Sequence, residues 1–347
     1  MSITVSGTAQ WDAWQAKIMP PVEQLRRYLW SIPVPMPRNP LRYVNIYAFA
    51  VEGGVVLIDT GWPEEESFDA LKAGLAVAGY RVEDVTEIVI THTHPDHYGL
   101  AGRVQELSGA PIAMHEREAE TLLAEHTVDA AEIRSMQTEH LLALGAPAGR
   151  VEESVAPVEY WTRFVGMPRA DRLLTDGELV IPEHGVRAVW SPGHTNGHTC
   201  FLIEPERLLV AGDHLLPRVT PNITAWRLGE DVPLARYFES LAKVRELDIA
   251  EVLPAHEYRF IGHRDRIDEL RAHHLERLDE VQDAVAADDR ASTWDIASRL
   301  TWTRPFHDLQ PAQWGFALGE ALSHLDYLRN EGRVALEADP IQRWRAA

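Results

Sequence analysis

An apolar run from Tyr43 to Ala50, interrupted by Asn45, is followed by a second over Val55 to Asp59, with Gly53-Gly54 between them. That pattern predicts two paired strands turning at the glycines. From Ser67 to Tyr80 the period changes, with Phe68, Leu71, Leu75 and Ala78 spaced for one face of a helix. Thr86 to Thr91 is a short apolar run, expected as a strand that delivers a histidine-rich segment on a loop. A helix is expected from Gly99 to Ser108, a strand near Ile112, and a helical region from Arg117 to about Phe164. Breaks at Gly145 and Pro147 make this last region, about 116–165, an insertion of two or three helices that would roof a cleft. Strands are expected again at Val186–Trp190, Thr199–Ile203, Leu208–Ala211 and Glu251–Leu253, with a helix at Pro233–Glu246.

The two ends differ from this middle. Residues 1–40 mix Trp11, Trp14 and Trp30 with prolines from Pro33 to Pro40, which predicts an ordered lead-in with extended stretches before its prolines. After His256 the pattern turns helical, with Arg264–Ala286, Thr293–Leu300 and Pro311–Leu328. The last of these carries Trp314, Ala317, Leu318, Ala321, Leu325 and Leu328 on one stripe. Asn330 to Val334 reads as the turn of a small β-wing. The expected organisation is a lead-in over 1–40, a catalytic body over 41–261 and a small helical, winged-helix-like domain over 262–347.

Composition narrows the function. With 347 residues, 45% of them hydrophobic, the chain can bury a large core. Its 53 Asp plus Glu against 33 Lys plus Arg give a net charge of −20, which argues against a broad phosphate-binding face. Residues 262–347 hold 11 Lys plus Arg against 16 Asp plus Glu, a poor surface for a polyanion. A small-molecule substrate is therefore expected and a nucleic-acid partner is not; the tail is read as structural or dimerising, leaving room for a homodimer. One cysteine, Cys200, allows no intrachain disulfide, and it is expected as a buried small hydrophobe. No signal peptide or membrane span is expected, and a cytoplasmic location follows.

Against that background, His92-Thr93-His94-Pro95-Asp96-His97 stands out. Imidazole and carboxylate suit zinc and similar first-row ions. In His92-x-His94 the alternation lets both rings point the same way from an extended backbone. Pro95 is expected to block a helix from running through the cluster, and Asp96 and His97 follow it, placed to serve a neighbouring ion. Three more candidates end predicted strands: Pro192-Gly193-His194, Gly212-Asp213 and Ala255-His256. His115, His126, His140, His184, His263, His273 and His274 are expected at the surface, while His198 could line the site.

Together with Asp59 in Leu57-Ile58-Asp59-Thr60-Gly61, these segments closely resemble the ordered motifs of the metallo-β-lactamase superfamily over about residues 43–260. The resemblance implies an α/β fold, an αββα sandwich of the metallo-β-lactamase type with metals at one edge. It also implies that His92, His94 and His194 hold one ion, that Asp96, His97 and His256 hold a second, and that Asp213 bridges them. Asp59 would orient ligand histidines by hydrogen bonds. Two divalent ions, zinc first and iron or manganese as alternatives, would activate a shared water, with Asp96 orienting it or taking its proton.

Substrate is less determined, since one such site serves several reactions. His256-Glu257-Tyr258 resembles glyoxalase II, where a tyrosine at this place contacts a thioester. The segment after Asp213, His214-Leu215-Leu216-Pro217-Arg218, departs from that family's lysine and tyrosine, although Arg218 could meet an anionic group. Hydrolysis of a thioester or related ester is the leading expectation, with a phosphodiesterase or nuclease and then a lactonase as alternatives. A true β-lactamase and a sulfur dioxygenase fit less well, and a non-enzymatic binding protein least.

Overall fold

A computed structural model describes residues 3–126, 129–158, 167–226, 228, 231–338 and 340–347. The chain divides into two compact units. The first comprises residues 1–126, 166–221 and 240–267, and the second comprises 127–165, 222–239 and 268–347.

Fourteen described strands build the first unit: β1 (Thr4–Val5), β2 (Glu23–Arg26), β3 (Leu29–Pro35), β4 (Tyr43–Val51), β5 (Gly54–Ile58), β6 (Val85–Val89), β7 (Ile112–His115), β8 (Arg172–Leu174), β9 (Leu179–Ile181), β10 (Val186–Trp190), β11 (Thr199–Ile203), β12 (Leu208–Gly212), β13 (Glu251–Pro254) and β14 (Phe260–Ile261). They form two seven-stranded sheets, one ordered β2-β3-β4-β5-β6-β7-β8 and the other β1-β14-β13-β12-β11-β10-β9.

Alternation along β4 explains how the layers stack. Val44, Ile46 and Ala48 point to one face, where they join Phe68, Leu71 and Leu75 of α2 (Glu65–Ala78) and Val104 of α4 (Ala101–Ser108, after the short α3, Pro95–Tyr98). Tyr47 and Phe49 point to the other, where they meet Phe201, Ile203, Val210 and Leu253 of the second sheet. The interior between the sheets is thus built from apolar and aromatic side chains of strands, the sandwich expected from the sequence.

The lead-in is more integrated than its prolines suggest. Thr8–Ala16 forms a helix, α1, and β3 pairs with β4 from Leu29↔Phe49 to Pro35↔Tyr43. Proline is tolerated there because β2 covers β3 only as far as Ser31. Beyond that point Pro33 and Pro35 need no outward N–H donor.

Direction matters more than order for the site. β5, β6 and β7 run parallel, as do β12 and β13, and β10 lies two antiparallel steps from β12. The strands β6, β10, β12 and β13 therefore release their following loops at the carboxyl ends that an α/β sheet uses for ligands. One expected helix boundary changes. Pro95 begins α3 rather than blocking a helix, because proline at the first helical position forfeits an N–H that has no partner there.

The second unit is helical with a small sheet. α5 (Glu116–His126) remains with the first unit, whereas α6 (Ala130–Ala143) and α7 (Ala148–Ser154) group with the C-terminal residues. Contacts within the unit explain this: the Leu144 carbonyl accepts from Trp294 N–H at 2.9 Å, and the Arg150 guanidinium lies 4.9 Å from the Trp314 ring. The expected helical stretch through Phe164 falls partly on 159–166, outside the described residues. α8 (Pro233–Arg245) and α9 (His263–Ala286) each run across a unit boundary, and α10 (Thr293–Ala297) and α11 (Pro311–Asn330) lie wholly in the second unit.

Its sheet orders β15 (Ala291–Ser292), β17 (Gln342–Ala346) and β16 (Val334–Ala338). The wing is the β16–β17 hairpin; Gly332, at φ +70, turns the chain from α11 into β16 instead of forming the hairpin tip. No helix among the described residues is long and apolar enough to cross a membrane. Trp344 of β17 is fully buried, and its indole N–H donates to Thr293 Oγ1 at 2.9 Å. Trp344→Ala should lower the stability of the second unit by ~3–5 kcal/mol, measured by denaturant unfolding; a loss below ~1 kcal/mol would contradict its place in the core.

Candidate metal centre

Five loops deliver the charged residues. Asp59 follows β5, His92 to His97 follow β6, His194 follows β10, Asp213 follows β12 and His256 follows β13. The structure brings the expected ligands into three overlapping groups: His92, His94 and His194; His92, His97 and Asp213; and Asp96, His97 and His256.

The first group is all imidazole. His92 Nε2 lies 3.0 Å from His94 Nδ1, and His194 Nε2 lies 2.9 Å from the same atom. Around the carboxylates, His256 Nε2 is 3.3 Å from Asp96 Oδ2 and 3.3 Å from Asp213 Oδ1, while His97 Nε2 is 3.5 Å from Asp213 Oδ1. Asp213 Oδ2 turns the other way, 3.6 Å from His194 Nε2. One carboxylate thus presents an oxygen to each side of the site.

These gaps fit a cation better than hydrogen bonds. Donors held ~2.0–2.2 Å from a tetrahedral ion stand roughly 3.3–3.6 Å apart, the spacing found around Asp213. His97 Nε2, His256 Nε2 and Asp213 Oδ1 are buried and have no hydrogen-bond partner in the structure. Buried polar atoms left so are costly unless something else satisfies them.

Two of the ligand histidines are aimed from behind. Asp59 Oδ2 accepts from His97 Nδ1 at 2.7 Å, and its Oδ1 accepts from Thr91 N–H at 2.8 Å. Those bonds hold Asp59 at φ +66, an unfavourable backbone for a residue with a side chain. His256 Nδ1 donates to the Tyr43 carbonyl at 2.9 Å, which leaves Nε2 for the site. His198 takes no place among the grouped donors. Its Nε2 accepts from Asp213 N–H at 3.1 Å, and its Nδ1 meets Ser191 Oγ at 2.9 Å. Gly212 makes this possible, since a Cβ there would sit 2.6 Å from His198 Nε2. Cys200 is buried beside Ser191, as expected.

Other expectations change. Tyr258 is buried, with its ring edge-on to Trp11 at 4.8 Å and to Trp14 at 6.1 Å; the Arg218 guanidinium lies over Trp14 at 4.1 Å. Tyr258 is therefore packed in an aromatic cluster fed by α1, which sequence spacing does not reveal. His115 is buried and stacked on Trp190, and His263 and His274 are buried, not surface groups. His274 Nδ1 lies 3.2 Å from His324 Nε2, a pairing across fifty residues of sequence. His140, His184 and His273 are partly buried, and the side chain of His126 lies outside the described residues.

The residue missed altogether is Glu118. It is buried on α5, with Oε1 accepting from Thr93 N–H at 2.7 Å and Oε2 accepting from Gly197 N–H at 2.9 Å. Its one available signal is position: Glu118 and Leu122 share a helical stripe, and an acid on an apolar stripe asks for a partner.

Electrostatics separate the imidazole group from the carboxylate-bearing one. Burial, with the neighbouring His97 and His94 rings, pushes His92 well below its ordinary value; burial and the His194 ring push His94 down to about 3. Burial also opposes charge on His97 and His256, but carboxylates outweigh it. Asp96, Asp59 and Asp213 hold His97 well above its ordinary value, and Asp213 and Asp96 hold His256 up at about 10. Burial resists ionising the carboxylates too, yet the two cationic rings bring Asp96 down to about 2 and Asp213 well below the usual range. Without metal, His92 and His94 favour the neutral imidazole, whereas His97 and His256 are held as protonated rings by their carboxylates.

A model of the metallo-beta-lactamase superfamily matches residues 39–256, and a model of a metallo-beta-lactamase-like C-terminal domain matches residues 278–347. The chain is 32% identical to a metallo-beta-lactamase family protein from Thermus thermophilus, with a TM-score of 0.78 over 93% of this chain and 100% of that one. It is 26% identical to a beta-lactamase domain protein from Burkholderia ambifaria, with a TM-score of 0.81 over 99% and 98% of the two chains. The lactamase-like protein adaB of Aspergillus niger is 25% identical over 94% of this chain and 87% of its own.

A proton-linked prediction follows from the carboxylate-bearing group. In the metal-free fold the neighbouring carboxylates raise His97 well above the ordinary histidine value and His256 to about 10, so both rings favour the protonated form at pH 7. Metal loading at pH 7 should release about two protons per chain, and affinity should fall as pH is lowered. Calorimetric titration in buffers of different ionisation heat measures the release; a value near zero would contradict the locked pairs. The protonated His256 should also stabilise the metal-free fold below about pH 6.5, an advantage lost as pH rises through about 10.

Proposed function

The chain belongs to the metallo-β-lactamase superfamily and is a metal-dependent hydrolase, and on that premise we propose that it cleaves a thioester or related carboxylic ester of a small molecule. The observation that carries the reading is how the polar groups are used. The grouped donors gather around Asp213, and among the described residues Asp59 and His198, which touch His97 and the backbone of Asp213, each hold a ligand in place.

Such a site suits a substrate whose leaving group departs without help. A thiolate, with an ordinary thiol pKa of about 8.5, needs less acid assistance than an amide nitrogen. Two bound divalent ions, zinc by preference and iron or manganese as alternatives, would polarise the scissile carbonyl and lower the pKa of a water between them. His92, His94 and His194 would hold one ion and Asp96, His97 and His256 the other, with Asp213 shared. Asp96, the more accessible carboxylate beside Asp213, would be placed to orient an attacking water and take its proton. Asp59 and the Tyr43 carbonyl keep His97 and His256 from turning away.

Charge supports the substrate class. A chain of net charge −20 offers little to a nucleic-acid backbone, whereas the exposed guanidinium of Arg218 can meet one anionic group on a small acyl compound. Tyr258 acts through the aromatic packing beneath Trp14 and Arg218, rather than by touching substrate. We place the protein in the cytoplasm, in keeping with its single buried thiol.

Elemental analysis of protein purified without added metal should give about two ions per chain. Assay against an acyl-thioester, a lactone, a phosphodiester and a β-lactam should show thioester turnover. Asp213→Ala should reduce it by at least ~10²-fold. Turnover of the phosphodiester alone would overturn the ester reading, and one ion or none after reconstitution would overturn the two-metal reading.

A further inference from the structure

Two threonines lie beside ligand histidines in separate loops, Thr93 between His92 and His94 and Thr195 directly after His194. Both address the same carboxylate. Glu118 Oε1 accepts from Thr93 N–H at 2.7 Å and from Thr93 Oγ1 at 2.9 Å. Glu118 Oε2 accepts from Thr195 Oγ1 at 2.8 Å and from Gly197 N–H at 2.9 Å. The two loops leave different sheets, after β6 and after β10, and α5 brings Glu118 between them.

We infer that Glu118 is a positioning residue that clamps these loops together and so sets the distance between His94 and His194. The inference rests on the two-metal reading of the site. The chemistry of the clamp requires a carboxylate. Only an ionised acid offers acceptors on both oxygens, and all four groups that reach it can donate. A glutamine would satisfy one loop and turn an N–H2 toward an N–H on the other. An aspartate, one methylene shorter, would reach one loop only.

The surroundings are built for the contact. A Cβ at Gly197 would lie 2.2 Å from Glu118 N, so the second loop can seat on the start of α5 only because residue 197 is glycine. Glu118 itself is 1% exposed, so its four bonds exclude competition from water. His94 and His194 face each other at 2.9 Å across the two loops. Loosening the clamp therefore acts on the first ion's donors, while Asp96, His97 and His256 keep their supports in Asp59 and the Tyr43 carbonyl.

The test is cobalt(II) titration of metal-free, full-length protein, following stoichiometry, affinity and the visible spectrum of histidine-bound cobalt, together with the melting temperature of the metal-free form. Wild type should take up two ions. Glu118→Gln should bind the ion at His92, His94 and His194 about 10- to 100-fold more weakly and lose its spectral signature, with the other ion retained. Thr195→Val removes a single hydroxyl and should weaken the same ion by a smaller factor; it carries the test if Glu118→Gln does not fold. Glu118→Gln or Thr195→Val protein that binds both ions as wild type does, with only a lower melting temperature, would overturn the clamp alone. Wild-type protein that takes up fewer than two ions would overturn the two-metal reading and the clamp with it.

Discussion

Asp213 faces imidazole nitrogens delivered by three other loops, and placing so many polar groups together out of water is unfavourable unless charges of opposite sign sit among them. The arrangement of the first unit follows from meeting that constraint. Protonated His97 and His256 neutralise the carboxylates when no ion is present, and a divalent cation does the same job more completely.

Holding the donors apart by fixed amounts takes a second ring of residues, each committed to one ligand or loop. Asp59 fixes His97, the Tyr43 carbonyl fixes His256, His198 fixes the backbone of Asp213, and Glu118 joins the loops of His94 and His194. Two glycines are part of the same device. Gly212 and Gly197 admit His198 and α5 at distances that any side chain would prevent. The positions nearest the chemistry are therefore the least tolerant of added bulk.

The second unit has its own buried polar pair in His274 and His324, set beneath Tyr237 and held through the Glu320 carbonyl. Burial drives both rings toward the neutral form, so they behave as packed aromatic groups with one hydrogen bond between them. This unit is organised around the buried Trp344 and Trp314 and the apolar stripe along α11.

Much of the catalytic body was legible in the order of residues. The near-continuous apolar runs marked β4 and β5 as strands, and the clustered histidines, with Asp213 and His256 each ending an apolar run, marked the donors. Local pattern is enough for these because a strand's two faces and a loop's residue types are set by near neighbours. The family resemblance supplied the pairing of donors into two groups, which spacing alone leaves open. What only the tertiary structure decided are contacts between residues far apart in the chain. Glu118 reads as one more surface acid of an amphipathic helix, and His274 as one more solvated histidine, until the fold brings Thr93, Thr195 and His324 to them. Nothing around Tyr258 in the sequence shows that α1 sets Trp11 and Trp14 against it. The reason is the same in each case: a polar side chain's role is set by what fills the space around it, and that space is enclosed by segments whose meeting no local period encodes.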